Sequence, residues 1–284
     1  MAFEALYKNL TSPILNNKKG VALKEYGEWD DKFCIVTGAA SGIGASTVNL
    51  LSKMGARVLA VDINAAKLSE TTDEIGAEGA IVIARTCDVS NEESVKNLYR
   101  EFESEKLSVL FNIAALPSPG IPIEKLSSQL WDTIMSVNVK SVFLMSKYAI
   151  PLFKNNSQGV IVNTSSVHAY ASMRNMTAYA ASKGALVSMT SQLSLDLVDY
   201  RVRVVGVAPG SVNTPMTTMN LREDTKKLNK LGFATDGYSI GHVGEPSEIS
   251  EALLWVASSK ASFVNGTTIT VDGGLLARLV NTVI

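Results

Sequence analysis

Tyr179 and Lys183 stand four residues apart, separated only by Ala180, Ala181 and Ser182. On a helix that spacing puts a phenol and an ammonium on one face. The chain has eight tyrosines, and this is the only one with a lysine four residues on. Such a pair can be a plain surface contact, or it can be a proton-transfer device. A free phenol titrates near pH ~10 and is a poor base at neutrality, but a neighbouring cation favours its ionised form. The small residues between the two leave room for a ligand to lie against the helix.

Thirteen residues before Tyr179 is Ser166, closing the apolar run "GVIVNTSS". Its hydroxyl is placed to polarise and orient a substrate oxygen, with Ser165 as its competitor in a strand-end capping role. Asn138, in "SVNVKSVF", falls mid-helix, where asparagine is not preferred. A local kink that holds a water and connects Lys183 to solvent would account for it.

These residues need a scaffold, and the sequence supplies a strand–helix alternation. Strand candidates are "FCIVT" (33–37), "RVLAVD" (57–62), "AIVIA" (80–84), "SVLFN" (108–112), "GVIVNTS" (159–165), "RVRVVGV" (201–207) and "TTITVD" (267–272). Most are apolar on both faces, as a sheet covered on both sides requires. The intervening stretches have helical spacing. One spans 90–105, opening with Ser90 and Glu93 as a capping box. The alternation predicts an α/β protein with a mainly parallel sheet and helices on both faces. Residues 1–30 lie outside it and read as an N-terminal extension, with the catalytic domain over 31–284.

The first strand runs into "TGAASGIG" (37–44) and then a helix. Gly38, Gly42 and Gly44 fit a tight turn, a close backbone approach to a pyrophosphate, and close helix–strand packing. The helix N-terminus behind them offers N–H groups to phosphates. No Gly-Lys-Ser/Thr ending follows, which argues against a nucleoside-triphosphate loop. Eighteen residues after Gly44, the second strand ends in Asp62. A carboxylate there accepts both ribose hydroxyls and repels a 2′-phosphate, and Ser41 and Ile63 offer no cation to rescue that phosphate. The expectation is NAD(H) rather than NADP(H). The oxidised cofactor ring would add a second positive charge beside Tyr179.

Composition narrows the class. The 284 residues are 46% hydrophobic and 19% charged, with a net charge of −1. That describes a globular chain with a large core. It shows no basic stripe for nucleic acid and no apolar run approaching the ~20 residues of a membrane span. No secretory signal or retention motif is visible, so a cytoplasmic protein is expected. Cys34 and Cys87 read as reduced and buried, and His168 and His242 are too scattered to suggest a metal.

Taken in order, these motifs resemble the short-chain dehydrogenase/reductase family, over roughly 31–275. The resemblance implies a single-domain, doubly wound Rossmann fold. It implies a catalytic set of Asn138, Ser166, Tyr179 and Lys183. It also implies a cofactor site of Gly38, Ser41, Gly42, Ile43, Gly44, Asp62, Ile63, Asp88, Val89, Asn112, Ala114, Tyr179, Lys183, Pro209, Gly210, Val212 and Thr214. "CDV" (87–89) resembles the family's adenine-side segment, "APGSVNTPM" (208–216) its nicotinamide segment, and "VDGG" (271–274) the end of its last strand. Departures occur where the family often reads Asn-Asn-Ala-Gly: this chain has Asn112-Ile113-Ala114-Ala115. Ala169 and Val205 replace a frequent Gly and Asn.

Residues 216–244 occupy the family's lid position and carry Met216, Met219, Leu221, Leu228, Leu231, Phe233, Tyr238 and Ile240. These are either the inner face of a lid or ordinary core contacts. His168, Tyr170, Met173 and Met176, between the serine and the tyrosine, are candidate pocket residues together with Met216. The expected activity is interconversion of a secondary alcohol and a ketone by hydride transfer, with Tyr179 as general acid/base. The expected substrate is bulky and mainly apolar, such as a terpenoid, steroid-like or polyketide compound of secondary metabolism. Alternatives are isomerisation, imine reduction or dehydration on the same fold, or a non-catalytic nucleotide-binding regulator. Family members are usually homotetramers or homodimers, and the resemblance implies the same here.

Overall fold

The structure, a computed structural model, describes residues 27–76, 81–156, 158–217 and 242–277. Its centre is a seven-stranded parallel sheet: β1 (Phe33–Thr37), β2 (Arg57–Asp62), β3 (Val82–Thr86), β4 (Leu107–Asn112), β5 (Gly159–Thr164), β6 (Val202–Pro209) and β7 (Thr268–Val271). The spatial order is β3-β2-β1-β4-β5-β6-β7. The order therefore reverses between β1 and β4, and the crevice above that switch point is where doubly wound sheets bind ligands.

The strands are apolar on both faces because helices cover both. On one face Val36, Ala60, Phe111, Val162 and Val207 pack with helix α1 (Gly42–Lys53) and with helix α7 (Pro246–Ala257). On the other, Ile35, Leu59, Leu110, Ile161 and Val204 pack with α3 (Glu92–Glu101) and α5 (Ser141–Lys154). The period-2 alternation of the pleat sends neighbouring residues into these two separate cores. The remaining helices are α2 (Ala65–Gly76), α4 (Ser128–Met135) and α6 (Thr177–Asp196).

Three local expectations change. Helix α3 starts two residues late, because the Asp88 carboxylate accepts from both the N–H (2.9 Å) and the hydroxyl (2.7 Å) of Ser90. With Ser90 spent on that turn, Asn91 caps the helix, its side chain accepting from Ser94 N–H at 3.0 Å. Strand β3 runs over 82–86 rather than 80–84, paired with β2 from Val58 to Asp62. Trp29, which the alternation leaves in the N-terminal extension, is buried in the core, and the turn after it bonds to the β2 end through Asp31 N–H and Gly55 O at 3.0 Å. Cys34 and Cys87 are free and buried, and burial pushes their thiols up to about 12 and about 11. Among the described residues, no helix is long and apolar enough to cross a membrane.

Candidate active site

A cleft of about 630 Å³ opens over the carboxyl ends of β1, β2, β4, β5 and β6. That is within the ~300–1,000 Å³ usual for small-molecule sites. At one end is the glycine turn. Gly38 has φ +70°, and a Cβ there would meet Ala114 Cα at 2.9 Å. Gly44 is tighter, since its Cβ would lie 1.9 Å from Gly38 O. Only glycine lets the turn close onto α1 at this point. Ser41, the N-cap of α1, makes no side-chain cap bond, so the helix N-terminus faces the cleft without a competing hydroxyl.

Asp62 stands at the rim of this end. Its Oδ2 accepts from Ala40 N–H at 3.0 Å and its Oδ1 from Asn64 N–H at 2.9 Å. The carboxylate is thus held in place by two backbone donors, and each oxygen keeps a lone pair for a ligand hydroxyl. Ile63 is exposed beside it, and Asp88 and Val89 form the opposite wall.

At the other end, Ser166, Tyr179 and Lys183 meet. Ser166 ends the strand β5 segment and caps a short 3-10 turn (Val167–Ala169), its Oγ accepting from His168 N–H at 3.2 Å. Tyr179 lies in the first turn of α6, with its phenol beside the Ser166 side chain. Lys183 is buried, with Nζ 5.6 Å from the centre of the Tyr179 ring and donating to Thr164 O at 2.8 Å. Burial, partly offset by the Ser166 hydrogen bond, pushes the Tyr179 phenol up to about 12. Burial also pushes Lys183 down to about 8. This reverses the direction expected from the sequence. In the protein alone, the desolvation of the phenolate outweighs any help from the ammonium, whose nearest hydrogen-bond acceptor is a carbonyl.

Asn138 is fully buried in a five-residue π-helical stretch (Ser136–Lys140) between α4 and α5. The mid-helix distortion inferred from its residue type is therefore present, and such π segments often mark functional positions. Its Oδ1 accepts from Leu116 N–H at 2.7 Å, and its Nδ2 donates to Leu116 O and to Ser182 Oγ, both at 3.0 Å. Ser182 in turn donates to Tyr179 O at 2.7 Å. Asn138 thus connects the cleft loop after β4 to the Tyr179 helix without touching Lys183 itself.

The cofactor residues named from sequence converge on the cleft, with one exception. Asn112 lies beneath it, donating to Asn163 Oδ1 at 2.9 Å, while Asn163 donates to Thr190 Oγ1 at 3.0 Å. Of the substrate-pocket candidates, Met216 lines the cleft. Tyr170 and Met173 are exposed and Met176 is half-buried, and none of the three is among the described residues that line it. His168 lies behind Tyr179, ring against ring. The lid residues from Met219 to Ile240 lie outside the described residues.

Sequence reading missed Leu116, Thr133, Val137, Thr164 and Pro215, which also line the cleft. Thr133 and Val137 are four apart, but nothing in the sequence says which helix face meets the cleft. Thr37 was missed as well: its hydroxyl accepts from Ile113 N–H (3.0 Å) and Ala114 N–H (3.2 Å), fixing the loop after β4.

A parallel sheet with a glycine turn and a carboxylate at its switch point defines a dinucleotide-binding α/β protein. The chain belongs to the short-chain dehydrogenase/reductase family, whose members are oxidoreductases that use a nicotinamide cofactor. A family model described as enoyl-(acyl carrier protein) reductase matches residues 38–276. The chain is 34% identical over 254 residues to a cyclopentanol dehydrogenase of Comamonas sp. (strain NCIMB 9872), covering 89% of this chain and all of that one. It is 35% identical over 257 residues to a 2,5-dichloro-2,5-cyclohexadiene-1,4-diol dehydrogenase of Sphingobium indicum, covering 87% and 97%. Among solved structures, the 3-ketoacyl-(acyl-carrier-protein) reductase from Brucella melitensis complexed with NADH superposes with a TM-score of 0.78 at 30% identity, over 87% of this chain and 99% of that one.

The cleft fits such a cofactor on its own terms. The uncapped end of α1 suits a pyrophosphate, and Asp62 suits a ribose. Thr164 Oγ1 is buried with no hydrogen-bond partner on a residue that lines the cleft, so a ligand atom there would satisfy it.

Proposed function

We propose that the protein is an NAD(H)-dependent dehydrogenase that interconverts a secondary alcohol and a ketone on a mainly apolar, cyclic substrate. The observation that carries this reading is the convergence of Ser166, Tyr179 and Lys183 on the same cleft as the glycine turn and Asp62. When bound, the nicotinamide cofactor supplies the hydride acceptor or donor and, in its oxidised form, a positive charge.

The chain's own residues do the rest. Ser166 already accepts one bond from His168 N–H, which leaves its proton free to point at Tyr179 or at the substrate oxygen. Tyr179 takes the hydroxyl proton as the carbon loses hydride, and returns it in the reductive direction. A positioned acid/base of this kind is typically worth ~10²–10⁴-fold. Lys183 fixes Thr164 and, as a cation, favours the phenolate. Leu116, Val137, Pro215 and Met216 give the substrate end an apolar wall. The cyclopentanol dehydrogenase and the cyclohexadiene-diol dehydrogenase among its relatives point to ring alcohols of modest size.

Asp62 supports NAD(H), since a 2′-phosphate would lie against a fixed carboxylate. We place the protein in the cytoplasm and expect a homodimer or homotetramer, as is usual in the family.

The test is a screen of cyclic alcohols and ketones with each nicotinamide cofactor, followed by product identification. NADH formation from ring alcohols, lost in Tyr179→Phe, is expected. Turnover retained in Tyr179→Phe, or products of an isomerisation or dehydration, would reject the reading.

A further inference from the structure

The His168 side chain is used by nothing in the mechanism above, yet the residue touches both of the groups that the mechanism needs. Its backbone N–H donates to Ser166 Oγ at 3.2 Å. Its ring packs on the Tyr179 ring with centroids 5.5 Å apart and planes at 82°, an edge-to-face contact. Its Nδ1 lies 2.8 Å from Ser172 Oγ. Burial lowers its pKa below the ordinary value, which keeps the imidazole neutral.

The surroundings give this contact a purpose. Helix α6 begins at Thr177 without a side-chain cap, since Met176 makes no cap bond. The residues leading into it, 171–175, are all exposed, and Asn175 is left-handed with φ +68°. Tyr179 therefore sits in the first turn of a helix with a loosely supported entry. Helix ends of this kind fray unless something holds them. The His168 ring, packed on the Tyr179 ring, is that hold. The Ser172 hydroxyl fixes the imidazole from inside the same exposed connection.

We propose that His168 is a positioning residue. Its ring, in edge-to-face contact, holds the Tyr179 phenol in register with the Ser166 hydroxyl, while its own amide orients that hydroxyl. The proposal rests on the reading of Tyr179 as the general acid/base. A reacting group displaced by ~1 Å loses on the order of 10²-fold in rate, so a looser phenol should show in kcat. Cofactor binding, built from the glycine turn and Asp62, should not follow it. An aromatic ring without nitrogens should recover most of the loss, because an edge-to-face ring contact needs only a second ring.

The experiment compares the full-length protein with His168→Ala, His168→Phe and Tyr179→Phe, using NAD+ and cyclohexanol or the best alcohol of the screen. NADH dissociation constants are measured alongside by fluorescence. His168→Ala is expected to lower kcat by ~10–100-fold with the NADH dissociation constant within about threefold of wild type. His168→Phe is expected to recover kcat to within about fivefold of wild type. A His168→Ala enzyme with wild-type kcat overturns the proposal. So does a His168→Phe enzyme as slow as His168→Ala, which would assign the role to the imidazole nitrogens. Should His168→Ala not fold, the His168→Phe comparison with wild type decides alone: a kcat down tenfold or more overturns the ring-contact role. Tyr179→Phe separates the two levels. If it stays active, the functional reading itself has failed; if it is dead while His168→Ala is intact, only this inference has.

Discussion

Replacing Asn138 by alanine should damage the protein by an amount that can be worked from its contacts. Asn138 is fully buried and makes three hydrogen bonds, at 2.7, 3.0 and 3.0 Å. Alanine removes all three. Ser182 Oγ keeps its bond to Tyr179 O, so little is stranded there. Leu116 N–H and C=O lose their partner together. A buried polar group left unsatisfied costs ~1–3 kcal/mol, which gives ~2–6 kcal/mol for the two. The lower half of that range is expected, because the Leu116 side chain is at the surface and water can reach part of the loop. Urea unfolding followed by tryptophan fluorescence, at one protein concentration, measures the loss as a shift in midpoint at constant slope. The contrast with Asn138→Asp is the sharper test. Aspartate keeps an acceptor for Leu116 N–H but sets a buried carboxylate oxygen against Leu116 O, so it should be less stable than alanine near neutral pH. An Asn138→Ala variant within ~0.5 kcal/mol of wild type, or an Asn138→Asp variant that equals or exceeds alanine, would refute the claim that these bonds hold the cleft loop to the Tyr179 helix.

Asp62→Ala combined with Ile63→Arg should turn cofactor preference toward NADP(H). A doubly charged phosphate ~4 Å from a carboxylate is disfavoured by ~2 kcal/mol even at the dielectric of water, about 30-fold, and the ratio of kcat/KM for the two cofactors should move by at least that much; an unmoved ratio would show that Asp62 does not face the ribose. Gly44→Ala should abolish NADH binding and lower the melting temperature, since the new Cβ would lie 1.9 Å from Gly38 O and only backbone movement can relieve it; a variant with normal binding would mean that the turn is not closed as described. Lys183 has its pKa lowered to about 8 in the fold, so between that value and its ordinary 10.5 the unfolded chain binds more protons there and stability from this group rises with pH, by up to ~3 kcal/mol. The unfolding free energy of wild type minus that of Lys183→Met should therefore increase as pH goes from 7 to 10, and a flat difference would place the ammonium in contact with water.

What could be read from the sequence, and what could not, follows from the range of the interactions. The central strands were legible because both faces of the sheet are covered there, so most are nearly continuous apolar runs. The glycine turn and Asp62 were legible because the chain brings them together within 26 residues, Thr37 to Asp62. Tyr179 and Lys183 share a helix face by local geometry alone. The partners of Asn138, by contrast, are 22 and 44 residues away, on a loop and on another helix. A residue type can announce a helix distortion but cannot name what it bonds to. The start of α3 shows the same limit at short range. Ser90 and Asn91 are both good caps, and the choice falls to Asn91 only because Asp88 engages Ser90 first. Met173 and Met176 were assigned to the pocket from their place between the serine and the tyrosine. A 3-10 turn follows Ser166 at 167–169, and no periodicity foretells it.

The electrostatics of the Tyr179–Lys183 pair carry the same lesson further. From spacing alone, a phenol beside an ammonium should ionise more easily than a free one. Burial changes both in the opposite sense, the phenol to about 12 and the ammonium to about 8. At neutral pH the protein alone therefore holds a protonated phenol next to a lysine that is still mostly charged but near its own titration. If Tyr179 is the acid/base we propose, burial suppresses the ionised form that oxidation of an alcohol would need. Ser166 opposes this, its side chain favouring the phenolate. On the proposed function, proton transfer in the oxidative direction would be enabled by charge arriving with a ligand, and the phenol lines the same cleft as the glycine turn. A base that is silent until the hydride acceptor is in place does not strip protons from alcohols it cannot oxidise.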